Sequence, residues 1–105
     1  MQAVDNLSIV EGTVLARRAH PGLAAYDLVT LLVRRVVAVA GKADLISPRS
    51  DLKASGSTLE LGIRRELLGA AREGDALRCR AKLTAGGVLC ESQPAPGDFQ
   101  LSPGG

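Results

Sequence analysis

With 105 residues, the chain is long enough for one ordinary domain and too short for two. Apolar residues make up 46% of it, which excludes a disordered chain and permits a core without a metal or a disulfide. Thirteen Lys and Arg against eleven Asp and Glu leave a formal net charge of +2, whereas dedicated nucleic-acid binders are often far more basic. Tyr26 and Phe99 are the only aromatic residues, so the core is aliphatic.

The N-terminal sequence and the cysteines bear on the compartment. Met1 to Val10 contains Asp5 and lacks both a positive n-region and an apolar h-region, so no secretion signal is predicted. The longest uncharged apolar run, near Leu28 to Val33, is too short to span a membrane. Without a secretion signal, Cys79 and Cys90 are expected to be reduced and buried. We therefore expect a cytoplasmic protein.

The first part of the chain predicts two strands. Residues 1–6 are expected to be a flexible N-terminus. Leu7 to Arg18 is rich in aliphatic and β-branched residues and predicts a strand, in which Gly12 indicates a bulge or a bend. His20-Pro21-Gly22 predicts a turn, because proline fixes φ and glycine permits a positive value. Tyr26 to Ala40, with five Val and one Thr, predicts a long bent strand.

The middle of the chain predicts a loop, a strand, a short helix and a second strand. Gly41 to Ser57 is interpreted as a loop, either partly ordered on the body or mobile. Thr58 to Ile63 alternates apolar and polar residues, as a half-buried strand does. Leu67, Leu68 and Ala71 fall at helical spacing within Arg64 to Arg72, which predicts one or two helical turns. Ala76 to Thr84 has the clearest alternation in the chain and predicts another strand.

The last part predicts a hairpin and a tail. Ala85-Gly86-Gly87 is interpreted as a hairpin loop and Val88 to Ser92 as the returning strand. The Pro- and Gly-rich residues 93–105 predict an extended C-terminal tail, which Phe99 and Leu101 would dock on the body. Residues 7–92 are thus expected to form the folded domain.

This order of elements resembles the OB-fold. The segments that carry the resemblance are LELGIRRELL at 59–68, EGDALRCRAKL at 73–83 and AGGVLCE at 85–91. The resemblance covers residues 7–92 and concerns topology, not a particular family. It implies a mostly-β, five-stranded Greek-key barrel with one short helix between strands three and four.

The resemblance also implies where a ligand would bind. OB-folds bind across strands two and three, beside the first-to-second and fourth-to-fifth loops. Carried over to this chain, that face comprises Tyr26 to Val36 and Thr58 to Ile63, with Tyr26, Thr58 and Glu60 as its candidate binding residues. Single-strand binders of this class stack bases on aromatic rings, and this face offers only Tyr26.

A basic stripe is the sharpest feature of the sequence. Arg78, Arg80 and Lys82 alternate with apolar residues, so all three are expected on one outer face. In an OB topology the fourth strand lies beside the first, which ends in Arg17 and Arg18. The five cations are therefore expected to form one phosphate-binding patch, or alternatively a solvated face that protects a sheet edge.

The residue types give no basis for catalysis, metal binding or a cofactor. The only histidine, His20, lies in a Pro-Gly turn without an evident partner and is expected to be an exposed turn residue. Cys79 and Cys90 are eleven apart, which does not fit the short paired spacings of a structural zinc site. The segment GGVLCE at 86–91 follows a strand but opens no helix, so it is no phosphate loop. We expect no enzyme activity, no metal and no cofactor.

The sequence thus favours a small binding module that uses a protein partner or self-association. Apolar doublets at Leu31-Leu32 and Val36-Val37 place aliphatic residues on both faces of one strand, more than the outer face of a monomer usually shows. Burial under the 41–57 loop is the competing explanation. Single-stranded nucleic acid is the alternative ligand, ranked second because stacking rings are few and the net charge is small.

Overall fold

Six strands and one short helix make up the fold. A computed structural model describes residues 6–44, 46 and 57–104. Most of the expected flexible N-terminus (1–6) and most of the 41–57 loop therefore lie outside the described residues. The elements are β1 (Ser8–Ala19), β2 (Tyr26–Ala38), β3 (Thr58–Arg64), α1 (Arg65–Leu68), β4 (Ala76–Thr84), β5 (Gly87–Cys90) and β6 (Gln100–Ser102).

The first five strands close into a barrel. Neighbouring strands follow the order β1-β2-β3-β5-β4, and β4 also pairs with β1, which completes the circle. All of these pairs are antiparallel except β3 with β5, which run parallel and meet at Gly62 and Leu89. The predicted mostly-β, five-stranded barrel with one short helix between strands three and four is confirmed.

The predicted irregularity at Gly12 is also confirmed. The register between β1 and β2 shifts between Glu11 and Gly12. A Cβ atom on Gly12 would collide with the backbone carbonyl oxygen of Leu32, and it would lie 2.8 Å from Cγ of Leu31. Glycine is therefore required at this position, because only a residue without a side chain fits there.

Aliphatic side chains from every barrel strand fill the interior. The alternation of β4 places Leu77, Cys79 and Ala81 inside, as predicted, and Leu68 of α1 is also buried in the core. Cys79 and Cys90 are both free and buried. The hydrogen bond of the neutral Cys79 thiol with Cys90 and its burial together raise the pKa of Cys79 well above its ordinary value.

The C-terminal tail adds a strand that the sequence did not predict. β6 pairs antiparallel with the first residues of β4, Ala76 to Arg78. Phe99 and Leu101 pack against the core. Only three residues form β6, too few for an alternating pattern to be recognised in the sequence.

Candidate ligand-binding face

One row of residues crosses the outside of all five barrel strands. The registers place Arg18 opposite Leu28, Leu28 opposite Gly62, Gly62 opposite Leu89, and Leu89 opposite Lys82. Residues paired in this way project from the same side of a sheet. This set, here called the Gly62 row, has a cation at each end and a glycine at its centre. Its central part, Leu28 on β2 and Gly62 on β3, lies on the strands across which OB-folds bind their ligands.

The ring of His20 lies over the centre of this row. A Cβ atom on Gly62 would be 2.5 Å from Cδ2 of Leu89 and 3.2 Å from Cδ2 of His20. Gly62 is itself buried, although its side of β3 faces outward, because these two side chains cover it. The expectation that His20 is an exposed turn residue is wrong, since it is half-buried against β3 and β5.

Two backbone N–H groups form hydrogen bonds with this ring. Nδ1 of His20 accepts hydrogen bonds from the N–H of Gly22 at 3.0 Å and from the N–H of Leu23 at 3.1 Å. An imidazole nitrogen accepts hydrogen bonds only when it carries no proton. Both bonds therefore exist only while Nδ1 carries no proton.

A cavity extends the row beyond Leu89. Its volume is about 550 Å³, and the residues lining it include Tyr26, Lys42, Lys82, Leu89 and Glu91. Within the described part of the chain, Oε1 of Glu91 is buried and has no hydrogen-bond partner. An aromatic side chain, two ammonium groups and one carboxylate thus share a concave site, where polar groups can bind a ligand that also makes apolar contacts.

The three predicted face residues lie on the outer side of β2 and β3. Tyr26 is half-buried beside the cavity, and Thr58 and Glu60 are exposed along β3. Glu60 lies 3.7 Å from the guanidinium group of Arg18, and both side chains are largely exposed. Such a pair contributes little to stability, so both groups are available to a ligand.

Arg17 faces the opposite direction from its neighbour Arg18. Its Nε donates to Oδ2 of Asp27 at 2.7 Å, and one of its NH groups donates to the carbonyl oxygens of Gly69 and Ala71. These bonds attach the end of β1 to the segment that follows α1. Arg17 is therefore a structural residue at one end of the barrel and is not part of a surface patch.

The five predicted phosphate-binding residues do not form one patch. β4 does lie beside β1, but it pairs with Ser8 to Thr13, far from Arg17 and Arg18. Arg78 and Arg80 project outward, as predicted, and each faces a carboxylate: Glu11 at 3.1 Å and Asp98 at 3.5 Å. Of these five residues, only Arg18 and Lys82 belong to the Gly62 row.

The fold and this face define the chain as a small OB-like β-barrel, a statement about topology alone. Comparisons with protein-family models, curated proteins and solved structures find no match. Among residues 6–44, 46 and 57–104, no three His, Cys, Asp or Glu side chains are placed to hold a metal ion. No helix in the described residues is long and apolar enough to cross a membrane.

Proposed function

We propose that this chain is a non-catalytic binding module for single-stranded nucleic acid, with the Gly62 row and the adjoining cavity as its binding face. The observation that carries this proposal is the joint presence of two rings and two cations on that face. Tyr26 lines the cavity and His20 covers Gly62, while Arg18 and Lys82 lie at the two ends of the row. Single-strand binders combine these two features, rings for stacking bases and cations for phosphates.

The position of the cations supports an extended ligand. Arg18 lies on β1 and Lys82 on β4, with the outer sides of β2, β3 and β5 between them. The side chain of Arg18 is 68% exposed, and Lys82 is also exposed. A single strand of nucleic acid that wraps around the barrel along this row would meet a cation at each end and the apolar surface of Leu28 and Leu89 between them.

The small exposed apolar surface favours single-stranded nucleic acid over a protein partner or a second copy as the ligand. Leu31 is in the core, and Leu32, Val36 and Val37 are half-buried, so the apolar doublets of β2 form no exposed patch. Among the described residues, Leu15 is the only large hydrophobic residue that is exposed, at 37%. Protein interfaces usually need a larger apolar centre. Association through a protein partner or a second copy is therefore the second candidate, with Leu15 as its apolar contact.

Fluorescence anisotropy of a labelled oligo(dT) of about 15 nucleotides tests the proposal, because one OB-fold covers about 4–16 nucleotides. We expect binding that weakens with added salt. Replacing Tyr26 with Ala should weaken it about tenfold, since stacking on one ring contributes about 1–3 kcal/mol per base. Replacing both Arg18 and Lys82 with Ala should weaken binding and also reduce its salt dependence.

A matched variant controls for net charge. Arg35 lies on the outer side of β2 near its far end, and Arg72 follows α1, so both are exposed cations away from the Gly62 row. The Arg35→Ala and Arg72→Ala double variant changes the net charge as much as the double variant at Arg18 and Lys82. Absence of binding at low salt, or an equal loss in the two double variants, would contradict the proposed face. A dimer that Leu15→Asp dissociates would instead support the second candidate.

A further inference from the structure

We propose that His20 is a positioning residue of the binding face, whose neutral ring holds the β1–β2 loop (residues 20–25) closed and whose protonation releases it. This inference rests on the proposed function for its effect on binding, whereas the loop itself is described independently of any ligand. Two side chains hold this loop in the described hydrogen bonds: the His20 ring accepts from the amides of Gly22 and Leu23, and Arg65 donates to the carbonyl oxygen of Ala24.

Backbone hydrogen bonds connect this loop to Tyr26, which lines the cavity. The N–H of His20 donates to the carbonyl oxygen of Tyr26 at 3.1 Å, and the N–H of Tyr26 donates to the carbonyl oxygen of Leu23 at 3.1 Å. Leu23 is one of the two residues whose N–H groups bond to the His20 ring. The backbone of Tyr26 at the start of β2 is therefore connected to the His20 ring through Leu23, and Arg65 also donates to the carbonyl oxygen of Tyr26.

Protonation reverses the role of the bonded nitrogen. A proton on Nδ1 occupies the lone pair that accepts both hydrogen bonds, and it brings a donor against two backbone donors. Both bonds are then lost, and the ring no longer holds the loop. Histidine is the side chain that ordinarily changes its charge between about pH 5 and 8.

No ion pair holds the His20 ring in the described part of the chain. The charged and titratable groups on the elements packed around it are Arg18 on β1, Tyr26 on β2, Glu60 and Arg64 on β3, Lys82 on β4 and Glu91 after β5. Arg18 is directed to Glu60 at 3.7 Å and Arg64 to Glu66 at 2.6 Å. The two amide hydrogen bonds are therefore the polar contacts that distinguish the neutral ring from the charged one.

The proposal predicts an effect of acid opposite to that of simple electrostatics. A cationic histidine beside a phosphate would strengthen binding as the pH falls. If His20 positions the loop, binding weakens instead, because protonation displaces the loop and Tyr26 with it. We expect a loss of affinity for oligo(dT) as the pH is lowered, because the two hydrogen bonds from the loop to the ring are lost.

Two variants separate this effect from other titrations. His20→Asn keeps an acceptor oxygen near the position of Nδ1 and cannot be protonated. It removes one ring of the binding face, so it should bind more weakly than the natural chain at pH 7.5, but its affinity should not depend on pH. His20→Ala has no acceptor and should bind weakly at both pH values. Tighter binding of the natural chain at pH 5.5, or an unchanged pH dependence in His20→Asn, would overturn the proposal.

A measurement without ligand distinguishes failure of this inference from failure of the proposed function. The amide NMR signals of Gly22 and Leu23 should shift together as the pH of the free natural protein falls, and they should stay in place in His20→Asn. Shifts in the absence of any oligonucleotide binding would support the loop mechanism and refute only the nucleic-acid proposal. Signals that do not move between pH 7.5 and 5.5 would refute the loop mechanism.

Discussion

Arg17 and Asp27 form an ion pair at one end of the barrel, with Nε of Arg17 2.7 Å from Oδ2 of Asp27. The other carboxylate oxygen of Asp27 accepts a hydrogen bond from Nε of Arg65 at 3.0 Å. Arg65 also donates to the carbonyl oxygens of Ala24 and Tyr26. One buried carboxylate thus connects β1, β2 and α1 and fixes both ends of the β1–β2 loop.

Replacing Asp27 with Asn should destabilise the fold by about 3 kcal/mol, because it leaves two guanidinium groups without their shared counter-charge at a buried position. Asp98→Asn is the matched control, since Asp98 contacts only the half-exposed Arg80 at 3.5 Å in the described ion pairs. The control should change stability by less than about 1 kcal/mol. Urea denaturation measures both variants, and equal effects would show that Asp27 has no special role.

The carboxylate of Asp27 should also make the free energy of unfolding depend on pH. The hydrogen bond from Arg17 is the largest cause that lowers the pKa of Asp27 below its ordinary value, and the bond from Arg65 adds to it. Because the pKa of Asp27 is lower in the folded state, its stabilisation of the fold is complete at a pH above the ordinary pKa. This stabilisation is lost as the pH falls through the pKa of the folded state. Unfolding free energy should therefore decrease below about pH 4. Asp27→Asn should show a shallower decrease, and an identical slope would refute this assignment.

Two glycine substitutions should destabilise the barrel to different extents. Gly12→Ala should destabilise the barrel by about 3 kcal/mol, because the new Cβ collides with the backbone of β2, which cannot move aside. At Gly62 the nearest atom is the flexible end of Leu89, so Gly62→Ala should cost less than about 1 kcal/mol. It should nonetheless weaken oligonucleotide binding by displacing Leu89 and His20. Thermal unfolding and anisotropy measure the two effects, and a reversed order of stabilities would contradict the described packing.

The two thiols should be unreactive in the folded protein. The cause is that Cys79 and Cys90 are buried, and the pKa of Cys79 is raised by its hydrogen bond with Cys90 and by burial, which disfavours the reactive thiolate. A thiol reagent should label neither residue at pH 8 in buffer and both in denaturant. Rapid labelling under native conditions would show that β4 and β5 open readily.

Much of the fold was predictable because strand alternation is a local property. Ala76 to Thr84 was predicted with the bounds that β4 has, and the inward side of that strand was predicted as well. The candidate site was harder to predict from the sequence, because it depends on the register between strands that are distant in the sequence. Arg17 and Arg18 were expected beside β4, but the pairing of β4 with Ser8 to Thr13 separates them from it.

Three residues of the site could not have been identified from local pattern. Leu28 and Leu89 resemble ordinary strand residues until the registers place them on either side of Gly62. His20 resembles an exposed turn residue because its contacts are with β3 and β5, which follow it by many residues. The single available signal was Gly62 itself, since a glycine inside an alternating strand indicates close approach of another group.

The most direct measurement of the proposed binding face is an amide NMR titration of the natural protein with unlabelled oligo(dT) at low salt. We expect the largest shifts at Tyr26, Gly62, Leu89 and Lys82, and smaller ones at Arg35 and Arg72. Shifts concentrated around Arg35, Arg78 and Arg80 would place the ligand on another side of the barrel. The complete absence of shifts at millimolar oligonucleotide would contradict nucleic-acid binding by this chain.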